Sequence, residues 1–350
     1  ALGMSSIPSQ TVCYPAKLAH GHVIDLIRRG VSTIFYPSIF QERLEEFKVD
    51  AHYNCPVIIG YPELLKLNID ALGTIRYLCP FLPLDDDNKL AHNLEQTFRY
   101  LSIPLKEIRA AVKAARAEME RYRKDIRNEG KKTIQWIEDT GSIGIILAGH
   151  PYHLDPEVHH GLPELITANG AAVLTEDSVA HLHSQPMALR IRDQWTYHSR
   201  LYRAAAVAVS HDRLQLVECT SFGCGLDAVS AGQVEEILTS ANKIHTLLKI
   251  DEGENLGAAR IRIRSLLAAV SDRCPKEAAT EKPIIFYKNR PFTESMRKTH
   301  TIVLPQMSPM HFQFARAVFE PEGYRVKLLP HVSADAVEEG LRYVNNDACY

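Results

Sequence analysis

The amino-acid sequence predicts an α/β fold in which parallel-sheet domains are separated by a long helical insertion. Helix-like and strand-like segments alternate in residues 1–87 and again in residues 141–270. Between them, residues 88–140 are rich in charged side chains and show a helical periodicity. Alternation of strands and helices is typical of parallel sheets, because a parallel connection needs a crossover that is usually a helix.

The first α/β domain, predicted for residues 1–87, begins with a helix in "PAKLAHGHVIDLIRRG". Pro15 marks the start of this helix and Gly30 its end, which are positions where these residue types are enriched. "VSTIFYP" is a short apolar run ended by proline and predicts a buried strand. "PVIIGYPELLKL" is interpreted as a strand, a turn and a helix. This βα alternation predicts a parallel sheet.

The helical segment predicted for residues 88–140 carries one apolar stripe. Apolar residues recur there at spacings of four and three over about five helical turns. A free coiled coil needs more heptads than this, so we expect the helix to pack on a neighbouring domain. The stripe consists of Ile108, Val112, Ala115, Met119, Tyr122 and Ile126.

The second α/β domain is predicted for residues 141–270. "SIGIILAG" predicts a strand, and Asp155 with Pro156 predicts the N-cap and first residue of a helix. "AAVLTEDSV" predicts the next strand. The segment "RAAAVAVSHDRLQLVECTSFGCG" predicts a helix, then a strand that ends in a glycine loop, and "LDAVSAGQVEEILTSANK" predicts a further helix.

The remainder of the chain is predicted to be a linker followed by the start of another α/β module. Residues 271–283 are polar and contain proline, as linkers do. Residues 284–350 resume the βαβ pattern. "QTVCYP" near the beginning returns as "NDACY" at the end, which is a weak indication of an internal repeat. We expect the chain to be a piece of a longer protein, so that its first and last modules are truncated.

The composition excludes several classes of protein. The chain is 45% hydrophobic and 23% charged with a formal net charge of −2, which indicates a globular protein and favours neither nucleic acid nor an anionic membrane as a partner. No apolar run approaches the roughly 18 residues of a membrane-spanning helix. Neither a Walker A loop nor a G-x-S-x-G elbow is present, although "DTGSIG" imitates a phosphate-binding loop and is interpreted as a helix end before a strand.

Cysteine is the residue type that points to chemistry in this sequence. The seven cysteines are spread over a large chain, which is unlike a small disulfide-stabilised scaffold and favours a reducing cytoplasm. We interpret Cys219 as a packing residue and Cys79 and Cys274 as structural. His150, His153, His159 and His160 crowd one loop and helix start, where a metal site is the alternative, but without a nearby set of acidic partners we interpret them as polar loop residues.

Three cysteines, Cys13, Cys55 and Cys224, are predicted in loops beside proline or glycine. Cys13 and Cys224 precede predicted helices, and a helix N-terminus is expected to lower a thiol pKa. Ligands gather at the carboxyl edge of a parallel sheet. Three thiolates from distant loops suit an iron–sulfur cluster with one iron left open. The alternative is that each is a small core residue, because free cysteine is often buried.

Four motifs resemble one known family. "TVCYPAKLAHGH", "YNCPVIIGYPE", "GHPYHLDPEVHHGLPEL" and "SFGCGLDAV" together resemble the large activase-type proteins related to 2-hydroxyacyl-CoA dehydratases and benzoyl-CoA reductases. The resemblance is to the uncharacterised middle region of those proteins and covers about residues 5–270. It implies Rossmann-like or flavodoxin-like domains with helical additions.

The resemblance also implies a cofactor, its ligands and its partners. The cofactor is a 4Fe–4S cluster or one half of a double-cubane cluster, with Cys13, Cys55 and Cys224 as ligands and Cys349 as the first ligand of a second module. The expected partners are an actin-like ATPase module and a second dehydratase-like module of the same polypeptide, and a CoA thioester as substrate. The residues expected beside the cluster are Tyr14, Asn54, Phe222, Gly223 and Gly225.

Two functional hypotheses follow. In the first, the chain is the iron–sulfur module of an anaerobic, cytoplasmic, ATP-dependent dehydratase or reductase system, with low-potential electron transfer or reductive chemistry on CoA thioesters. Tyr14, Asn54 and Phe222 would shape access to the cluster, and the glycine loop would tune its potential through N–H···S bonds. In the alternative, the chain is a cluster-free docking module that pairs with dehydratase-like subunits, and its cysteines only pack.

Overall fold

The computed structural model divides the chain into two compact units, residues 1–285 with 347–350 and residues 286–346. The domain boundaries predicted inside the first unit stay predictions. Cys274, Cys349 and residues 272–283 of the predicted linker lie outside the described residues. The described residues are 2–9, 11–45, 49–250, 252–253, 256–271, 291–305, 309–330 and 333–344.

The N-terminal part of the first unit is a small βα layer. Its two short strands pair in parallel, with Ile34 opposite Tyr77. Apolar side chains of both helices, among them Val23 and Leu65, pack on this sheet. The elements are α1 (Tyr14–Arg28), β1 (Thr33–Phe35), α2 (Pro56–Asn68) and β2 (Arg76–Leu78).

The prediction of a strand in "PVIIG" is wrong, because residues 56–68 form one helix. Pro56 occupies the first turn, where its fixed φ suits a helix and its missing N–H is not needed. Tyr61, Pro62 and Leu65 are the buried residues of this helix. A short apolar run cannot be assigned from periodicity alone, and packing against α1 decides it here.

A long helix connects the βα layer to the large sheet. It follows a shorter helix and extends over 36 residues. The predicted stripe is buried only at its start, where Ile108 and Val112 pack on the preceding helix. Met119 and Tyr122 in its middle are exposed, whereas Ile134 and Ile137 near its end join the core of the large sheet. The two helices are α3 (Asp87–Thr97) and α4 (Leu105–Thr140).

The large sheet has four parallel strands among the described residues, in the order β4–β3–β5–β6. Its strands and the helices between them follow the predicted alternation, except that the predicted strand "AAVLTEDSV" ends at Thr175 and a short helix follows. The elements are β3 (Gly144–Ala148), α5 (Pro156–His159), α6 (Leu162–Ala168), β4 (Ala172–Thr175), α7 (Glu176–Val179), α8 (Thr196–Ser210), β5 (Leu214–Ser221), α9 (Gly225–Ser240), β6 (Thr246–Ile250) and α10 (Gly257–Ser271).

Helices cover both faces of this sheet, which confirms the predicted α/β fold of Rossmann-like type. Alternate residues of each strand point to opposite faces. Ile146 and Leu216 face α8, α9 and the end of α4, whereas Ile145 and Val217 face α6 and α10. Folds of this type bind ligands beyond the carboxyl ends of their strands, so the ends of the neighbouring strands β3 and β5 are where we expect a site.

The second unit contains a separate parallel pair of strands. Ile302 of one strand stands opposite Val326 of the other. The elements of the second unit are α11 (Met296–Thr299), β7 (Thr301–Leu304), α12 (Pro309–Phe319), β8 (Arg325–Leu328) and α13 (Ala334–Leu341).

Within the described part of the whole chain, no helix combines the length and apolar character needed to cross a membrane.

Candidate functional site

Each of the three predicted ligand cysteines is the N-cap residue of a helix. Cys13 caps α1, Cys55 caps α2 and Cys224 caps α9. The sequence predicts a strand directly after Cys55, but a helix begins there, so Cys55 has the same setting as the other two cysteines. The first turn of a helix leaves backbone N–H groups without intrahelical partners and carries a partial positive charge. All three thiols are thus placed where the backbone favours a negative sulfur.

The segments that carry Cys13 and Cys224 touch each other. Gly223 has φ +77°, and a Cβ added to it would lie 2.4 Å from the backbone oxygen of Thr11. Only glycine allows this approach together with this φ. The Lys17 ammonium of α1 also pairs with Glu252 after β6, at 2.6 Å.

The Cys55 segment is fixed to the start of α8. The backbone N–H of Tyr53 donates to Gln194 O at 2.9 Å, and the N–H of Thr196 donates to Tyr53 O at 3.0 Å. The side chain of Asn54, which is buried, donates to Ile39 O and to Glu42 Oε1. Asn54 thus orders the loop that presents Cys55.

Cys55 acts electrostatically on the other two thiols. Burial raises the pKa of each of them, and a negative charge on Cys55 adds to the rise at Cys13 and at Cys224. The Asp227 carboxylate raises all three thiol pKa values. The expectation that helix N-termini lower these pKa values is wrong for the free thiols. The backbone N–H groups do act in that direction, but desolvation outweighs them.

A buried carboxylate lies at the centre of the site. Asp227 Oδ1 accepts hydrogen bonds from His150 Nε2 at 2.6 Å and His198 Nε2 at 3.3 Å, and its Oδ2 accepts from the backbone N–H of Ser221 at 3.1 Å. Burial alone would raise the pKa of Asp227, but the two histidines outweigh it and hold the pKa well below its usual range. Burial lowers the pKa of His198. The carboxylate is therefore kept ionised inside the protein.

The sequence reasoning missed this carboxylate and its histidines. Asp227 lies three residues after Cys224, and His150 lies 77 residues before Asp227. Of the loop histidines, His150 thus has an acidic partner that comes from a distant part of the sequence. The available signal was positional, since both residues follow strands that are neighbours in the sheet.

A second hydrogen-bonded chain connects this core to Tyr152. The ring of Tyr152 stacks on His150 with centroids 5.0 Å apart. His153, which is buried, accepts the backbone N–H of His150 at Nδ1 and lies 3.2 Å from Ser221 Oγ through Nε2. Burial lowers the pKa of His153 to about 3, so its ring stays neutral. Ser221 Oγ donates to the Tyr152 hydroxyl at 3.2 Å.

The other predicted site residues have varied positions. Tyr14 lies beside His160, with ring centroids 6.5 Å apart. Phe222 is 61% exposed. Gly225 is the first residue of α9. Cys349 lies outside the described residues. Cys219 packs in the core of the sheet, as predicted.

Three unlike ligand atoms also come together in the site. Single atoms of His150, Cys224 and Asp227 all lie within 4.8 Å of one another. Thiolate, imidazole and carboxylate are each able to bind a metal ion. His150 and Asp227, however, already satisfy each other, so the Cys224 sulfur is the better metal ligand of these three.

A cleft of about 1200 Å³ adjoins the site. Pro15 and Tyr152 are among its lining residues, and so is the exposed middle of α4. Two buried polar atoms of lining residues, Glu176 Oε2 and Thr196 Oγ1, have no hydrogen-bond partner among the described residues. Burial raises the pKa of Glu176 to about 8, so this carboxyl group is protonated at neutral pH. The cleft thus offers hydrogen-bonding groups next to the thiol site.

Comparison with known proteins gives one match. A family model described as the CoA enzyme activase uncharacterised domain matches residues 1–179, which is half of the chain. The matched part includes Cys13, Cys55 and the loop with His150 and His153, but ends before Cys224. No curated protein matches the chain.

Proposed function

The chain belongs to the family of the CoA enzyme activase uncharacterised domain, and from this premise we propose that it is the iron–sulfur module of an activase-type system. Cys13, Cys55 and Cys224 would hold a 4Fe–4S cluster or one half of a double-cubane cluster. The observation that carries the proposal is the placement of three partly buried thiols at three helix N-termini, with Cys55 acting electrostatically on Cys13 and Cys224.

The residues fit such a group by the chemistry of their donors. Iron–sulfur clusters are held by cysteine thiolates. The free thiols are kept protonated by burial and by the charge of Asp227, and the positive charge of bound iron reverses this by displacing the protons. The bound group would supply one-electron transfer at a potential set by its ligands, by hydrogen bonds to sulfur and by burial.

The surrounding side chains would keep the site ordered and its charge fixed. The Nε2–H groups of His150 and His198 donate hydrogen bonds to Asp227 Oδ1. These bonds stabilise a negative carboxylate close to the thiols. Gly223 lets the two thiol-bearing loops approach each other. Asn54 fixes the loop of Cys55. These residues position and balance the site without being ligands.

The proposed partners come from the family and from the cleft. We infer that an ATPase module and a second dehydratase-like module of a longer polypeptide work with this chain, and that the second module begins with Cys349 as its first ligand. We infer a CoA thioester as the substrate from the family, and only its uncharged acyl end would enter the cleft beside the thiols. The electrons would then reach substrate chemistry of the 2-hydroxyacyl-CoA dehydratase or reductase type.

Anaerobic reconstitution with iron and sulfide tests the proposal. We expect the wild-type chain to retain about four iron and four sulfide ions and to give an EPR signal on reduction, as a cubane does. The triple variant Cys13→Ala, Cys55→Ala, Cys224→Ala should retain only background iron, because it lacks every proposed thiolate.

Two single variants serve as controls. Cys79→Ser changes a cysteine that donates to Glu63 away from the site, and Cys349→Ala removes the proposed ligand of another module. Both should keep the iron content of the wild type. Wild-type protein that holds no cluster, or a triple variant that holds as much iron as the wild type, would contradict the proposal and favour the cluster-free docking module.

A further inference from the structure

The hydroxyl group of Tyr152 stands at the end of a hydrogen-bonded chain with a fixed direction. The Nδ1 atom of His153 accepts the backbone N–H of His150, so the proton of this neutral ring must be on Nε2. Nε2 therefore donates to Ser221 Oγ, and the Ser221 hydroxyl donates to Tyr152. No acceptor for the Tyr152 proton lies within hydrogen-bond distance among the described residues. The proton is free to be donated to a ligand.

Packing holds the Tyr152 ring in place. The ring is stacked on His150, with 9° between their planes, and borders His153 at 4.6 Å between centroids. Burial raises the pKa of Tyr152 well above its usual range, so the hydroxyl keeps its proton. Tyr152 is at the same time a lining residue of the cleft. Tyr152, with its ring held by stacking and its hydroxyl protonated, thus borders the cleft.

The remainder of the cleft indicates what kind of molecule this donor meets. Glu176, which is protonated at neutral pH, and Thr196 add two further buried polar groups with no partner among the described residues. Apolar side chains such as Leu18, Met119 and Leu154 line the cleft as well. Besides the protonated Glu176, its lining holds six acidic side chains against five arginines, so it offers no excess of positive charge to an anion. Donors set in mixed walls suit an uncharged molecule with acceptor oxygens.

We propose that Tyr152 binds the carbonyl oxygen of an uncharged acyl compound in the cleft, with Ser221 and His153 as positioning residues. The chain of donors from His153 through Ser221 makes Tyr152 a donor with one orientation. This binding site does not depend on the proposed cluster, because it stands on the cleft and on the hydrogen bonds alone. Failure of the iron reconstitution would leave it intact.

A pair of fluorinated probes tests the proposal with the iron-free protein. 4-Fluoroacetophenone carries a carbonyl oxygen, and 1-ethyl-4-fluorobenzene has nearly the same shape without it. We expect 19F NMR titration to show that the ketone binds the wild-type chain more tightly than the hydrocarbon does. Tyr152→Phe, which keeps the stacked ring, should weaken ketone binding roughly threefold to tenfold, as the loss of one neutral hydrogen bond does. Hydrocarbon binding should not change.

Two more variants separate positioning from packing. Ser221→Ala should weaken ketone binding less than Tyr152→Phe does and should shift the 13C resonance of the labelled Tyr152 ring carbon that bears oxygen. Tyr100→Phe, which removes a hydroxyl outside the lining of the cleft, should change neither readout. Equal binding of the ketone to the wild type and to Tyr152→Phe, or no preference of the wild type for the ketone, would overturn the proposal. If Tyr152→Phe fails to fold, the 13C shift of wild-type Tyr152 on adding the ketone decides.

Discussion

Glu176 is a carboxyl group that the fold keeps protonated at neutral pH. Its side chain is 1% exposed, and its Oε2 has no hydrogen-bond partner among the described residues. Burial, and next to it the charge of Asp177, raises its pKa from 4.5 to about 8, against a smaller opposing effect of Arg200. Between pH 4.5 and 8 the unfolded chain releases a proton that the folded chain keeps. Stability therefore falls as pH rises through this window.

Replacing Glu176 with Gln should remove this pH dependence. Gln has the same shape and does not titrate, so Glu176→Gln should gain stability relative to the wild type as pH rises from about 4.5 to 8. The difference should grow by at most about 1.4 kcal/mol per pH unit and should be near zero below pH 4.5. Urea unfolding at several pH values measures it. Glu157→Gln, an exposed change in the same cleft, should show no such trend, and a flat difference for Glu176→Gln would refute the assignment.

Single residues were predictable from the sequence where the signal was local. Cys13 and Cys224 stand before recognisable helix starts, and both are helix N-caps. Asp227 was not predictable in its role, because its histidine partners come from distant parts of the chain. The prediction that the thiol pKa values are lowered was wrong for a related reason. Burial raises them, and burial depends on the packing of several segments.

At the scale of elements, the long helix α4 shows how one periodic stripe can serve two purposes. Its ends are buried against α3 and against the core of the large sheet. Its middle, with Met119 and Tyr122, lines the cleft. Periodicity predicted a long helix, but only Ile108 and Val112 of the predicted stripe are buried. A stripe does not reveal which of its turns face protein and which face a cavity.

The close packing of α4 on α7 depends on Gly130. A Cβ at this position would lie 2.5 Å from the backbone oxygen of Ser178. We expect Gly130→Ala to destabilise the protein by about 1–3 kcal/mol, because a backbone contact cannot yield as a side chain can. This is the opposite of the gain of up to about 1 kcal/mol that alanine usually brings to a helix interior. Chemical denaturation measures the difference.

Gly232 provides the matched control for this helix contact. It also lies within a helix, and a Cβ added to it would meet nothing within 4 Å. Gly232→Ala should therefore be neutral or stabilising. A Gly130→Ala variant that is as stable as Gly232→Ala would mean that α4 and α7 are not in close contact.

At the scale of the first unit, the chain order of the elements determined most of what could be predicted. Regular alternation around β3, β4, β5 and β6 identified the doubly covered parallel sheet, because parallel strands need helical crossovers. The contact between the N-terminal βα layer and the glycine loop was not predictable. It depends on a single approach of Gly223 to Thr11, which leaves no periodic trace in either segment.

Gly223→Ala should separate the loops of Cys13 and Cys224. The added Cβ would collide with the Thr11 backbone at 2.4 Å and would also strain a φ of +77°. Gly170→Ala isolates the strain, since Gly170 has φ +83° and nothing within 4 Å of its Cβ position; that strain costs roughly 1–2 kcal/mol. We expect iodoacetamide to alkylate Cys13 and Cys224 several-fold faster in Gly223→Ala and at the wild-type rate in Gly170→Ala, as peptide mass spectrometry can measure without iron. If the two thiols were alkylated at the same rate in Gly223→Ala as in Gly170→Ala, the contact between Gly223 and Thr11 would not be what closes the thiol site.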